Sequence, residues 1–279
     1  MTNEWDSSAL VRIRNLSKEY VQRRPFTRAK FTIHALENVN LTIRRGTTLA
    51  LVGESGAGKS TLVRCLSLIE RPTAGEIWWN DVNLLALKKK ALFQMRRQVQ
   101  VIFQDPTSAL NPGMTAAEII EEPLAIQGIG TKRERRQRVL ELMEQVGVPA
   151  KWENKLPMEF SGGQRQRLAV ARALALEAKL LILDEALSNL DLANQEMILR
   201  LLRELQTAHA LTYIHVAHDL RMVEELADEV AVMYEGRIVE QKDAPELFAS
   251  AEHPYTKELL GAAPSLESIV AARPAWDCL

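Results

Sequence analysis

Three short stretches carry residue types whose spacing suits phosphate chemistry. Gly53 to Ser60 reads GESGAGKS and matches G-x-x-x-x-G-K-[ST] in full. Gly53, Gly56 and Gly58 let the backbone curl. Amides of Gly53, Glu54, Ser55, Gly56, Ala57 and Gly58, and on to Thr61, can then converge on phosphate oxygens. A helix expected from Lys59 adds a favourable dipole. Lys59 can reach the outer phosphates, and Ser60 can ligate Mg²⁺. A chance glycine turn is the bland alternative. The apolar strand before the loop and the helical pattern after it argue against that.

Asp184 closes the apolar run KLLILD (179–184), and Glu185 follows at once. An acid at the mouth of a parallel strand suits a metal-holding role. On an extended chain successive side chains point opposite ways. That predicts separate tasks, with Asp184 holding the metal and Glu185 polarising the attacking water. Alone, the pair reads equally well as surface acids; beside a phosphate loop it reads as catalytic. In the third stretch, Ser161, Gly162 and Gly163 precede a helix-forming run, QRQRLAVARALALEAK. A hydroxyl and exposed amides at a helix start make a second phosphate-binding device.

The elements that must position these residues alternate between strand and helix patterns, which predicts an α/β fold with a mostly parallel sheet. Strands are expected at 10–14, 48–52, 76–80, 99–103, 179–184, 212–217 and 230–234. Ile198, Leu201, Leu202 and Leu205 follow helical spacing and predict an amphipathic helix over 192–208. The stretch from about 105 to 165 carries five prolines and the charged run TKRERRQR (131–138). It reads as a mainly helical insertion. Glu134 interrupts the charged run and no aromatics interleave, so a solvated helix face is expected rather than a nucleic-acid patch.

Composition narrows the classes further. The chain has 279 residues, enough to bury a large core, and its net charge of -1 gives no bulk attraction for nucleic acid. Cys65 and Cys278 are far apart and have no metal spacing, so reduced thiols are expected. The polar, acidic start MTNEWDSSAL does not read as a signal peptide. No apolar stretch reaches bilayer-spanning length, so other chains would have to supply any membrane segments.

FSGGQRQR (160–167) resembles the signature of ABC ATPases, with Phe160 where leucine is usual. Other landmarks of that family stand in its order. Tyr20 in LSKEY resembles the aromatic that stacks on adenine, a core tyrosine being the alternative. Gln104 in VIFQDP resembles the glutamine that touches Mg²⁺ and water and senses the membrane partner. Asp191 in SNLD resembles the acid that reaches across the dimer, and His218 in HVAHDL the histidine that bonds the γ-phosphate. His215, three residues before His218, would face the other side of a strand, which argues against a His–His metal site.

The resemblance covers roughly residues 8 to 245. It implies a P-loop NTPase core of RecA-like type, with a parallel sheet, a small antiparallel β part and an inserted helical subdomain. The ATPase domain would span 8–250, and a C-terminal extension 251–279. ATP and Mg²⁺ would be its substrate and metal. Ser161, Gly162, Gly163 and Gln164 would contact the nucleotide of the opposite subunit, so two chains, identical or paralogous, must meet head to tail. QDPTSALNPGMT (104–115) and the HPYT–LL–P pattern near the C-terminus resemble the oligopeptide/dipeptide/nickel importer branch. That branch implies permease subunits, a solute-binding protein and a place on the cytoplasmic face of the membrane. Peptides lead as cargo, with nickel and small saccharides as alternatives. With only Cys278 in the tail, no iron–sulfur site is expected. DEALSNLD departs from the usual DEPTSALD at Ala186, Leu187 and Asn189, which puts the loop geometry after Glu185 in question. A soluble ABC-type ATPase acting on DNA or ribosomes would usually carry coiled coils, zinc fingers or two cassettes. A P-loop nucleotide kinase would have no use for SGGQ.

Overall fold

The computed structural model describes residues 8–23, 30–105, 109–217 and 219–262. Two sheets organise it. The smaller is antiparallel, in the order β2 (Lys30–Arg44), β1 (Ala9–Arg23), β4 (Ala74–Trp79), β5 (Val82–Asn83). The larger has six strands in the order β10 (Arg237–Asp243), β9 (Glu229–Tyr234), β3 (Thr48–Val52), β8 (Thr212–Val216), β7 (Leu180–Asp184), β6 (Val99–Phe103). All its pairings are parallel except β9 with β10. Strands β3 and β8 are buried along their whole length, as a parallel sheet covered on both faces requires.

β1 extends well past the predicted 10–14, and β2 and β10 were not foreseen. The reason is local. Asn15 and Asn38 take positive φ of 47° and 49° and sit at irregularities in the β1–β2 register. Buried positions therefore run Ile13 to Leu16 and Leu36 to Val39, three apart, which breaks the period-two signal. The other predicted strands match to within two residues at each end.

Helix α1 (Lys59–Leu66) follows β3, and α2 (Lys89–Met95) precedes β6. Between β6 and β7 lie α3 (Ala116–Gln127), α4 (Lys132–Gln145) and α5 (Gly162–Leu174). These share one hydrophobic core with α6 (Leu192–His209). The charged run lies at the start of α4, where Glu134 completes a capping box with Thr131. Arg135 pairs with Glu121 and Arg136 with Glu153, and most of the run is exposed. Helices α7 (Leu220–Leu226), α8 (Ala244–Ala249) and α9 (Pro254–Ala262) complete the described chain. Residues of α7, α8 and α9 pack with Val52 and Val232 in a separate core cluster. Among the described residues, no helix is long and apolar enough to cross a membrane.

Candidate active site

Parallel strands end together, so the loops that follow them share one edge of the sheet. In the observed register, Leu51 and Asp184 are both partners of Val216, and Phe103 is the partner of Asp184. Gly53 follows β3 directly, Gln104 follows β6, and Glu185 follows β7. One row of the sheet thus gathers the phosphate loop, Gln104, Asp184 and Glu185.

Gly53 has φ 146°, and a side chain there would collide with the carbonyl of Met233 on the neighbouring strand β9. Only glycine lets the loop leave the sheet at this point. No side chain caps the N-terminus of α1, so its first amides are left for a ligand. Glu54, Ser55, Gly56 and Ser60 are exposed, Gly58 and Thr61 half-buried, and Ala57 buried. Lys59 is buried at 5% exposure. Its Nζ donates to the carbonyls of Gly53 at 2.6 Å and Glu54 at 2.9 Å. Burial pushes the ammonium pKa down, while the nearby Glu185 and Asp184 carboxylates pull it up.

The extended-chain argument for Asp184 and Glu185 needs correction. The strand stops at Asp184, and Glu185 has φ 52°, in the left-handed region. Its amide donates to the carbonyl of Val216 at 3.1 Å. That bond helps offset a conformation costing a bulky residue roughly 1–2 kcal/mol. A turn begins between the two acids, so strand alternation does not relate their side chains. Ser188 Oγ closes the turn by donating to the Glu185 carbonyl at 2.9 Å. Among the departures, Ala186 and Leu187 are buried at 2% and 1% exposure. Asn189 Nδ2 donates to the Gln104 carbonyl at 3.5 Å, and Gln104 Nε2 donates to Ser188 Oγ at 3.3 Å. The loops after β6 and β7 are therefore bonded to each other.

Ser161 is the N-cap of α5. Its Oγ accepts from the Gln164 amide, and Gln164 Oε1 accepts from the Ser161 amide at 3.0 Å. Phe160 is buried and meets Trp152 edge-on at 5.9 Å. Asp191 is the N-cap of α6, accepting from the Asn194 amide at 2.9 Å and Asn194 Nδ2 at 2.7 Å. Those two bonds hold its carboxyl below the usual range, the backbone bond contributing most.

Tyr20 is half-buried, and its phenol donates to Glu70 at 2.7 Å. Burial, then that bond, raises its pKa. Glu70 also pairs with Lys18 at 3.0 Å. His218 and Cys278 lie outside the described residues. β8 ends at Val216, so strand alternation does not relate His215 to His218. His215 is 1% exposed, and burial pushes its pKa down to about 4.

Two contacts were not foreseen. Tyr255 of α9 accepts a hydrogen bond from the Glu54 amide at 2.9 Å. Asn194 lies directly against Gly163. Each joins residues far apart in the chain, so no local pattern announces it.

A family model described as "ABC transporter" matches residues 36–188. The chain belongs to the ABC transporter family. It is an ATP hydrolase, the ATP-binding subunit of such a transporter. This ABC ATPase is 42% identical over 267 residues to the dipeptide transport ATP-binding protein DppF of Haemophilus influenzae, covering 95% of this chain and 82% of that protein. It is 45% identical over 257 residues to the oligopeptide transport ATP-binding protein OppF of Bacillus subtilis, covering 91% and 82%. The ATP-binding cassette MJ0796, solved as a post-hydrolysis dimer with ADP and Pi, superposes with a TM-score of 0.73 at 30% identity, covering 84% of this chain and 98% of that one. The cbiO1 subunit of Clostridium perfringens, part of the ABC transporter complex cbiONQ, gives 0.75 at 29% identity, covering 87% and 92%. Such relatives imply dimerisation, permease partners and association with a membrane for this ABC ATPase.

Proposed function

We propose that this chain hydrolyses ATP to drive uptake of di- or oligopeptides through separate membrane subunits. The observation that carries the ATP site is the single sheet row that gathers the phosphate loop, Gln104, Asp184 and Glu185. The cargo rests on the names of the dipeptide and oligopeptide relatives.

In this reading the loop amides from Gly53 to Thr61 cradle the phosphates, except that of Glu54, which Tyr255 already holds, and Lys59 exchanges its loop carbonyls for phosphate oxygens. Tyr20 stacks on the adenine. Ser60, Gln104 and Asp184 offer a hydroxyl, an amide and a carboxylate, the hard oxygen donors that Mg²⁺ takes. Bound there, Mg²⁺ would neutralise charge on the phosphates. Glu185 orients and deprotonates the attacking water, and His218 bonds the γ-phosphate. Ser161, Gly162, Gly163 and Gln164 complete the site of an opposite chain, and Asp191 reaches across the same interface. That chain is a second ATPase, identical or paralogous. The assembly sits at the cytoplasmic face of a membrane, served by a solute-binding protein, with no role for nucleic acid.

In this reading the ATPase spans 8–250, with the helical part at about 105–165, and the extension spans 251–279. The first helix of that extension, α9, is seated in the core of the ATPase. Reconstitution with permease subunits and a solute-binding protein of a peptide importer tests the cargo. Peptides should stimulate ATP hydrolysis. Stimulation by nickel or a saccharide instead would overturn peptide import.

A further inference from the structure

We propose that Tyr255 is a positioning residue for ATP binding, its phenol holding the first peptides of the phosphate loop in place from the C-terminal helix α9. This rests on the reading of Gly53–Ser60 as the ATP site.

The contact is one link of a chain. The Glu54 amide donates to Tyr255 Oη at 2.9 Å. The Glu54 carbonyl accepts from Lys59 Nζ, also at 2.9 Å. A single residue thus connects the phenol to the ammonium that must meet the phosphates.

Tyr255 is itself firmly held. It is 8% exposed and belongs to the core cluster that contains Val52, the last residue before the loop. Its ring centroid lies 4.3 Å from that of Tyr234. Its amide donates to His253 Nδ1 at 3.2 Å. Glu240 in turn accepts from the amides of Glu252 and His253 at 2.8 and 3.0 Å. Burial raises the phenol pKa, so the group stays protonated and neutral. The HPYT segment therefore presents one fixed hydroxyl oxygen to a loop whose own residues Glu54, Ser55 and Gly56 are exposed.

A glycine-rich loop has many conformations, and ordering it on binding weakens affinity. A bond that removes part of that freedom beforehand strengthens ground-state and transition-state binding alike. Its loss should appear in KM and Kd and leave kcat alone. By linkage, nucleotide bound to the loop must also steady α9.

Tyr255→Phe keeps the ring against Tyr234 and removes only the hydroxyl. Loss of one neutral hydrogen bond corresponds to about a twofold to tenfold change in affinity. Titration of the full chain with ATP should show Kd raised by about fivefold within that range. KM should rise in step with kcat unchanged, and the ligand-free chain should melt slightly lower, because the same bond is present without ATP. Hydrogen exchange in 254–262 should slow with nucleotide in the wild type, and less so in the variant. Unchanged Kd, or a loss confined to kcat or melting temperature, overturns the proposal. Lys59→Ala is titrated in parallel. If it too leaves Kd unchanged, the loop is not the ATP site and both readings fall. If Lys59→Ala weakens binding and Tyr255→Phe does not, this proposal alone falls.

Discussion

Gly163, at the start of α5, lies directly against the side chain of Asn194 on α6. A Cβ on Gly163 would meet the Asn194 amide closer than any real Cβ packs. The same amide donates to Asp191, the cap of α6. The SGGQ turn and the SNLD turn of one chain are thus locked together before any second chain arrives.

Gly163→Ala should break that lock. Alanine normally helps a helix by roughly 1 kcal/mol over glycine. Here overpacking should outweigh it, at about 1–3 kcal/mol, by displacing Asn194 from Asp191. Thermal denaturation should show a lower midpoint, with Asn194→Ala restoring most of it in the double variant. A raised midpoint in the single variant would show that Asn194 swings away freely.

Lys59→Ala should weaken ATP binding about tenfold to a hundredfold, the worth of a charged hydrogen bond to phosphate. Among the described residues its buried ammonium bonds only loop carbonyls. The ligand-free chain should therefore melt near the wild-type temperature, while the added stability conferred by ATP falls with affinity. Calorimetric titration and melting scans with and without ATP measure both.

Glu185→Gln should slow hydrolysis about a hundred- to ten-thousandfold while ATP binding persists. Unhydrolysed ATP would then hold two chains together, each phosphate loop against the opposite SGGQ. Size-exclusion chromatography with Mg²⁺ and ATP should show a dimer that the wild type forms only briefly. Hydrolysis at the wild-type rate would remove Glu185 from the chemistry.

His215 makes stability fall in mild acid. Its buried Nδ1 has no protein partner among the described residues, and burial lowers its pKa from 6.5 to about 4. Between those values the unfolded chain binds the extra proton, so stability rises with pH and drops as pH falls. The full effect approaches about 3 kcal/mol below both values. Urea midpoints measured from pH 7 to pH 4.5 should drop in the wild type. In His215→Leu that drop should be visibly shallower, and equal slopes would contradict a buried neutral imidazole.

The sequence by itself determined the chemistry that depends on near neighbours. GESGAGKS, the acid after LLILD and the SGGQ turn are legible because strand, turn and helix each form within a few residues. β3, β6, β7 and β8 were legible because a doubly covered parallel strand needs an unbroken apolar run. Strand order was not, since Leu51, Asp184 and Phe103 become neighbours only through β8 and β7. Nor were β1 beyond Arg14 and all of β2, whose alternation is shifted by bulges at Asn15 and Asn38. The left-handed turn at Glu185 leans on Val216, and the phosphate loop leans on Tyr255, 201 residues from Glu54. Tertiary structure alone decided these, because a hydrogen bond between distant residues leaves no period or composition in the chain around either one.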